Sequence, residues 1–164
     1  MQDSLFKKTA LYHGGEYSLG KAKIRRPLSS KHSHHIVLRV TSEVSSLLVK
    51  ERRHFITSQI KKWSKHFGVR IYAQSINSTH IHLLIHSKHL PSLRNFLRVL
   101  PGQIAQQLGK GVSQFWMHLI FSRVVMWGKA FTIAMKYIEK NTLEAAGLLT
   151  YKRNRSLKSA LNTS

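Results

Sequence analysis

The segment that most constrains the fold is residues 79–86, where apolar side chains alternate with histidines. This period of two predicts a β-strand with one face in a core, formed by Ile81, Leu83 and Ile85. His80 and His82 then share the opposite face with Cα atoms about 6–7 Å apart, close enough to bind one metal ion. His86 lies about 13 Å from His82 on the same face, too far to bind that ion. An exposed, histidine-bearing strand face is the alternative.

Around this strand, the hydrophobic pattern predicts a β-α-β-β-α-β order followed by one more helix. The predicted strands are 34–40, 69–76, 79–86 and one or two within 115–127. The predicted helices run from the 42–46 region or later to 67, from 91 to 108 with a kink or split at Pro101-Gly102, and from 129 to 144. This order predicts an α+β, ferredoxin-like antiparallel sheet with two helices on one face. The added C-terminal helix would fold toward the open face.

The chain of 164 residues is long enough for one domain with a substantial core. We expect that domain to span residues 34–149. Residues 1–33 are interpreted as a basic N-terminal arm, either disordered or ordered by contacts with DNA phosphates. Residues 150–164 are interpreted as a basic tail.

The net charge is strongly positive, with 27 Lys and Arg against 6 Asp and Glu, or +21 overall. Such a charge favours a polyanionic partner, with nucleic acid ahead of a membrane surface. The sequence shows no signal peptide, no membrane span and no cysteine, which fits a cytoplasmic, nucleoid-associated protein. The candidate DNA-binding residues are Arg25, Arg26, Arg39, Arg94, Arg98, Arg123, Lys136 and Lys140.

The acidic residues are placed unevenly, because no carboxylate occurs between Arg52 and Lys136. Enzymes that bind two metal ions through Asp and Glu need several carboxylates at one site. This distribution argues against such a site, so histidine would have to supply most of the metal ligands.

The last predicted helix carries Tyr137 and Asn141, which lie four residues apart and so project from one helical face. A tyrosine phenol is a weak nucleophile at neutral pH, but it can attack a phosphodiester when a metal ion polarises the phosphate. His80 and His82 would bind that metal, and Asn141 could add an oxygen ligand. The alternative is that Tyr137 is an amphipathic side chain between the helix and the sheet.

The His-hydrophobic-His motif, followed by Tyr-x-x-x-Asn, resembles the single-tyrosine transposases of the IS200/IS605-like type. The closer resemblance is to their REP-associated tyrosine transposase branch, and it extends from about residue 14 to residue 149. The segments that carry it are residues 26–28, 34–39, 70–72, 80–85, 94–98, 121–125, 137–141 and 144–148.

This resemblance implies a single-stranded or hairpin DNA substrate and a divalent ion, Mg²⁺ or Mn²⁺. It implies that Tyr137 cleaves the strand through a 5′-phosphotyrosine, with His80, His82 and Asn141 as metal ligands. It leaves a homodimer and a monomer both open. The chain departs from the family at Asn77-Ser78-Thr79, because the family has Asn immediately before the first His.

Two functions of other classes stay open. The first is a catalytically decayed or repurposed DNA-binding protein on the same fold. An RNA-binding sheet is the related case, but the strands show no evident pair of aromatic residues for stacking. The second is a ribosome-associated basic protein, which would need neither His80 nor Tyr137.

Overall fold

The computed structural model describes residues 11–150, and these form a single sheet with three helices. The strands are β1 (Tyr12–His13), β2 (Ser33–Arg39), β3 (Arg70–Ile76), β4 (His80–His86) and β5 (Phe121–Val125). The helices are α1 (Lys50–Phe67), α2 (Leu90–Leu108) and α3 (Lys129–Ala145), and a short 3₁₀ helix covers Gly15–Ser18.

The strand order in the sheet is β1-β5-β2-β4-β3, and every neighbouring pair is antiparallel. Without β1, this is the order of a ferredoxin-like sheet, in which β2 and β4 are the central strands. The predicted α+β fold is therefore confirmed. Strand β1 is an addition, pairing Tyr12 with Arg123 and His13 with Ser122 at the β5 edge.

The two faces of the sheet have different coverings. The larger core joins one face to α1 and α2, and it includes Ile36, Leu38, Ile81, Leu83, Ile85, Ile56, Ile60, Phe96 and Ile104. A smaller cluster on the other face joins Leu84 and Val125 to Ile138 of α3. Because Leu84 alternates with Leu83 and Ile85, these side chains must leave the strand on opposite faces. Helix α3 thus lies on the face that His80 and His82 share, as the sequence predicted.

A bulge in β3 helps this face accept α3. The pairing of β3 with β4 shifts between Ile71 and Ala73, which leaves Tyr72 as an extra residue. Tyr72 and Ala73 consequently both pack against the α3 cluster. The Tyr72 ring contacts Trp127 and Phe131, with ring centroids 5.6 and 5.1 Å away.

Three details of the prediction differ from the structure. Helix α2 runs unbroken through Pro101, so the predicted split does not occur. Pro101 is buried, and Trp116 Nε1 donates to its carbonyl at 3.0 Å. The predicted strand over 115–127 is shortened to β5, with one isolated bridge between Trp116 and Val40. The described part of the predicted N-terminal arm contains β1, whose two residues are too few to show a pattern in the sequence. Residues 1–10 of that arm, and the predicted tail beyond residue 150, lie outside the described residues.

Among the helices that the structure describes between residues 11 and 150, none is long and apolar enough to cross a membrane.

A buried histidine makes stability depend on pH. His34 is fully buried, its Nε2 accepts from the Ser29 N–H at 3.0 Å, and its pKa is lowered to about 4 by burial and by the nearby His86, His32 and Arg26. The unfolded chain binds a proton at this site near pH 6.5, whereas the folded chain does not until about pH 4. Its stabilising effect is therefore present above pH 6.5 and falls by about 3 kcal/mol as the pH drops through this window.

We expect His34→Gln, which keeps an acceptor for Ser29, to lose less free energy of unfolding between pH 7 and pH 4.5 than the wild type. Urea titrations at several pH values measure this difference. An identical decline in both proteins would show that His34 is not the group responsible.

Candidate active site

His82 lies at the centre of the face beneath α3 and is held by His35 of β2. His82 is only 4% exposed. Its Nδ1 lies 3.0 Å from His35 Nε2, and the two rings stack with centroids 5.2 Å apart. When His82 Nδ1 carries the proton, it donates to His35, and the lone pair of His82 Nε2 is left free. His82 Nε2 is buried without a hydrogen-bond partner among the described residues.

His80 is oriented by two residues of the β3–β4 turn. Its Nδ1 lies 3.1 Å from Thr79 Oγ1, and its Nε2 lies 3.0 Å from Asn77 Nδ2. Because the Asn77 amide nitrogen is a donor, His80 Nε2 accepts and its Nδ1–H donates to Thr79. The same Asn77 nitrogen donates to Asn141 Oδ1 at 3.3 Å. The lone pairs of His80 Nε2 and Asn141 Oδ1 therefore point to the same position, which the Asn77 amide nitrogen occupies.

Tyr137 stands over the buried His82 and the half-buried His35. Its ring centroid lies 5.4 Å from that of His82 and 5.9 Å from that of His35, both edge-on. Tyr137 remains 49% exposed, so this part of α3 is open to a large substrate. Asn141 Nδ2 donates to the Tyr137 carbonyl at 2.8 Å, which fixes the amide one turn further along α3. The sequence-predicted His80, His82, Tyr137 and Asn141 are thus brought together.

The electrostatics of the site keep the histidines neutral. Burial lowers the pKa of His82, and the adjoining His35 and His80 lower it further. Burial and Arg123 lower the pKa of His35 to about 4, while burial and Arg39 lower that of His80. Neutral imidazoles are competent metal ligands because no proton has to leave first.

The nitrogen and oxygen atoms of this site supply only some of the ligands that a cation needs. His82 Nε2 is a buried acceptor without a partner, and His80 Nε2 and Asn141 Oδ1 already face one shared donor. Within residues 11–150, however, no group of three or more His, Cys, Asp or Glu could hold a metal ion. Two imidazoles and an amide would therefore leave the remaining positions to substrate oxygens or water, as in an open catalytic site.

The candidate DNA-binding residues fall into two groups on opposite faces of the sheet. Arg25, Arg26, Arg94 and Arg98 line a cleft of about 390 Å³ beside α2, together with Leu28 and Leu97. Arg26 also serves the fold, because its Nη1 donates to the Ile120 carbonyl and to Ser122 Oγ. On the α3 side are Arg39, Arg123, Lys136 and Lys140, of which Arg39 pairs with Glu16 at 3.5 Å and Lys140 with Glu144 at 3.7 Å.

Two residues that shape the site were not predicted as functional. His35 lies on the open face of β2, as the alternation indicates. Its contact with His82, however, depends on the register of β2 and β4, in which Val37 lies opposite His82. Asn77 was not predicted to contact the site, although it belongs to the segment that departs from the family before His80. The available signal was its polar amide three residues before His80, which is too common in turns to indicate a site.

The fold and this site define a class of protein: a ferredoxin-like sheet with paired histidines on a central strand, facing a tyrosine on a helix. Residues 28–142 match the family described as "Transposase IS200 like". That match covers more than half of the chain, which therefore belongs to the IS200-like transposase family and is a DNA transposase. The family resemblance noted in the sequence is confirmed. No protein with a curated description matches the chain.

One solved structure supports the fold assignment. A REP-associated tyrosine transposase bound to a REP hairpin superposes with a TM-score of 0.63 at 16% identity, covering 78% of this chain and 76% of that chain. A candidate transposase from Deinococcus radiodurans matches with a TM-score of 0.45 at 16% identity, covering 73% of this chain and 98% of that chain.

Proposed function

We propose that the protein cleaves and transfers single-stranded DNA through a covalent bond to Tyr137. The Tyr137 oxygen attacks a phosphodiester and loses its proton, and the bond from phosphorus to the 3′ oxygen breaks. The 3′ oxygen takes up a proton and leaves as a free 3′-OH, while the 5′ phosphate stays on the tyrosine. Because this intermediate keeps the energy of the phosphodiester, a second 3′-OH can reseal the strand without a nucleotide cofactor.

A divalent cation, Mg²⁺ or Mn²⁺, is part of this proposal. His80, His82 and Asn141 would hold it, and it would polarise the scissile phosphate. His35 orients the His82 ring, and Thr79 orients the His80 ring from the position where the family has Asn. Imidazole ligands favour Mn²⁺ over Mg²⁺, because Mg²⁺ has the stronger preference for oxygen ligands.

The observation that supports this proposal most is the position of the Tyr137 ring, edge-on to His82 and His35 within 6 Å. All of these side chains come from one chain, so a homodimer is not required to complete the site. As a DNA-acting enzyme of this kind, the protein would work in the cytoplasm at the nucleoid, on single-stranded or hairpin DNA.

A second function, DNA binding without cleavage, is favoured by one specific contact. The Asn77 amide donates both to His80 Nε2 and to Asn141 Oδ1, and it therefore occupies the lone pairs that a cation would need. If this contact is stronger than metal binding, the chain would bind hairpin DNA and leave it uncut.

Incubation with hairpin-containing single strands distinguishes the two functions. The strands are labelled at the 5′ or 3′ end and incubated with Mn²⁺, with Mg²⁺ or with a chelator. We expect a denaturation-resistant protein–DNA adduct on the 3′-labelled fragment and a free 3′-OH on the 5′-labelled fragment, only with a metal. The same sequence as a blunt duplex is the control. Binding without any adduct would establish the second function instead.

Removing His35 tests its role in orienting His82. We expect His35→Ala to weaken Mn²⁺ binding about tenfold, because an outer-shell partner fixes the tautomer and direction of a ligating imidazole. Mn²⁺ titration followed by electron paramagnetic resonance measures this affinity. His35→Gln, which keeps an acceptor near His82 Nδ1, should recover part of the loss. If neither variant changes the affinity, the contact with His82 is structural only.

A further inference from the structure

A second cleft adjoins the active site on the same face of the sheet. It has a volume of about 270 Å³ and is bordered by Glu16, Tyr17, Val37, His118, Leu119 and Phe121. Val37 lies opposite His82 in one strand pairing and opposite Phe121 in the other. Val37, which lines the cleft, is thus the direct cross-strand neighbour of the proposed metal ligand His82.

The cleft belongs to a continuous series of aromatic rings that ends at the proposed nucleophile. Tyr17 contacts Tyr12 and Tyr12 contacts Phe121, at centroid distances of 5.8 and 6.2 Å. Phe121 lies 6.5 Å from His35, whose ring contacts Tyr137. The sequence showed no evident pair of aromatic residues for stacking bases. The fold nevertheless brings Tyr17, Tyr12 and Phe121 close together.

The 3₁₀ helix that carries Tyr17 is held firmly against the sheet. The Gly15 N–H donates to the Leu119 carbonyl at 2.7 Å. Gly14 has a φ of +78°, and a Cβ at this position would overlap the Ile120 carbonyl oxygen. Only glycine permits this approach. Tyr17 is therefore positioned before any ligand binds, and it is still 41% exposed.

The charges around the cleft suit a nucleic acid strand. The Lys21 ammonium lies 3.5 Å from the ring centroid of Tyr17, and the Arg123 guanidinium lies 5.4 Å from that of Tyr12. Aromatic rings with adjoining cations are the usual means of binding single strands, because bases stack while phosphates meet the charges.

One acidic residue stands at the rim of this basic, aromatic surface. Glu16 is one of six acids in a chain of net charge +21, and its side chain is 72% exposed. Its carboxylate lies 3.5 Å from Arg39 Nη1. A carboxylate here opposes the attraction of phosphates, but it can accept hydrogen bonds from the amino group of a base. Adenine, cytosine and guanine carry such a group and thymine does not.

We propose that this cleft binds one unpaired, amino-bearing base of the DNA strand beside the scissile phosphate. Tyr17 and Phe121 stack on the base, and Glu16 accepts a hydrogen bond from its amino group. This site refines the substrate of the proposed function and rests on it for its biological role. Its binding preference, however, does not depend on cleavage.

Binding of homopolymers tests the cleft without any chemistry. Fluorescence anisotropy is measured for oligo-dA, oligo-dC and oligo-dT of about 10 nucleotides, which is within the usual range of single-strand sites. All titrations contain a chelator and one fixed salt concentration, since phosphate contacts depend steeply on salt. The chelator prevents cleavage, so failure of the Tyr137 chemistry would leave this result unaffected.

We expect the wild type to bind oligo-dA and oligo-dC about tenfold more tightly than oligo-dT, the effect of one hydrogen bond to a charged group. Glu16→Gln should remove most of this preference, because its neutral amide oxygen accepts more weakly from an amino group and its NH2 can donate to a carbonyl oxygen of thymine. It also frees Arg39 and adds one positive charge, so the ratio between oligomers is the informative quantity. Glu51→Gln, which makes the same charge change in the first turn of α1, should keep the preference.

A second variant tests the stacking contribution. Tyr17→Leu keeps an apolar side chain but removes the ring, and it should weaken binding of all three oligomers about tenfold. Equal affinities for the three oligomers in the wild type would overturn the proposal. A preference that survives in Glu16→Gln, or unchanged binding by Tyr17→Leu, would also overturn it.

Discussion

Replacing Tyr137 with phenylalanine should abolish the covalent protein–DNA adduct while leaving hairpin binding intact. The variant keeps the ring that packs edge-on against His82 and His35, and it loses only the attacking oxygen. Loss of a nucleophile typically lowers the rate by roughly 10³-fold or more. Tyr137 is the only tyrosine of α3, so we expect no other phenol on this helix to take over.

The measurement is adduct formation on a denaturing gel, with hairpin affinity determined in parallel. Tyr72→Phe is the matched control, because Tyr72 lies on the same face of the sheet but packs against Trp127 and Phe131. It should retain both activities. An adduct that persists in Tyr137→Phe would place the covalent bond on another residue and refute the proposed mechanism.

The parts of this site that local sequence determines were predictable. The alternation in β4 places His80 and His82 on the open face, and the spacing of Tyr137 and Asn141 places them on one face of α3. Both follow from fixed side-chain periods of strands and helices. The order of the elements then constrains the sheet, because few topologies fit a β-α-β-β-α-β chain.

The parts that depend on pairing between distant strands were not predictable. His35 meets His82 only because β2 pairs with β4 in one register, and that register is decided by packing of the whole core. Strand β1 has two residues and no pattern of its own, yet it carries Tyr12 to the side of Phe121. Asn77 contacts both His80 and Asn141 only once α3 has packed across the sheet.

Replacing either proposed histidine ligand with alanine should lower strand cleavage by about 10²–10³-fold, more than the 10–100-fold typical of outer-shell partners. His80 and His82 would act as a unit on one cation, so their effects should not add. We therefore expect the double variant His80→Ala/His82→Ala to cleave no more slowly than the worse single variant. Mn²⁺ affinity, measured by electron paramagnetic resonance, should fall in all three.

His86→Ala is the matched control for this series. His86 belongs to the same strand and face, but its Nε2 donates to the Ser30 carbonyl at 2.9 Å and its ring contacts Trp127. It should retain cleavage and metal affinity. Thermal unfolding of each variant separates lost chemistry from lost folding, which matters for His82 because it is almost fully buried. If the double variant still cleaves DNA at the wild-type rate, the cation is bound elsewhere, and the convergence of His80 and Asn141 on Asn77 is purely structural.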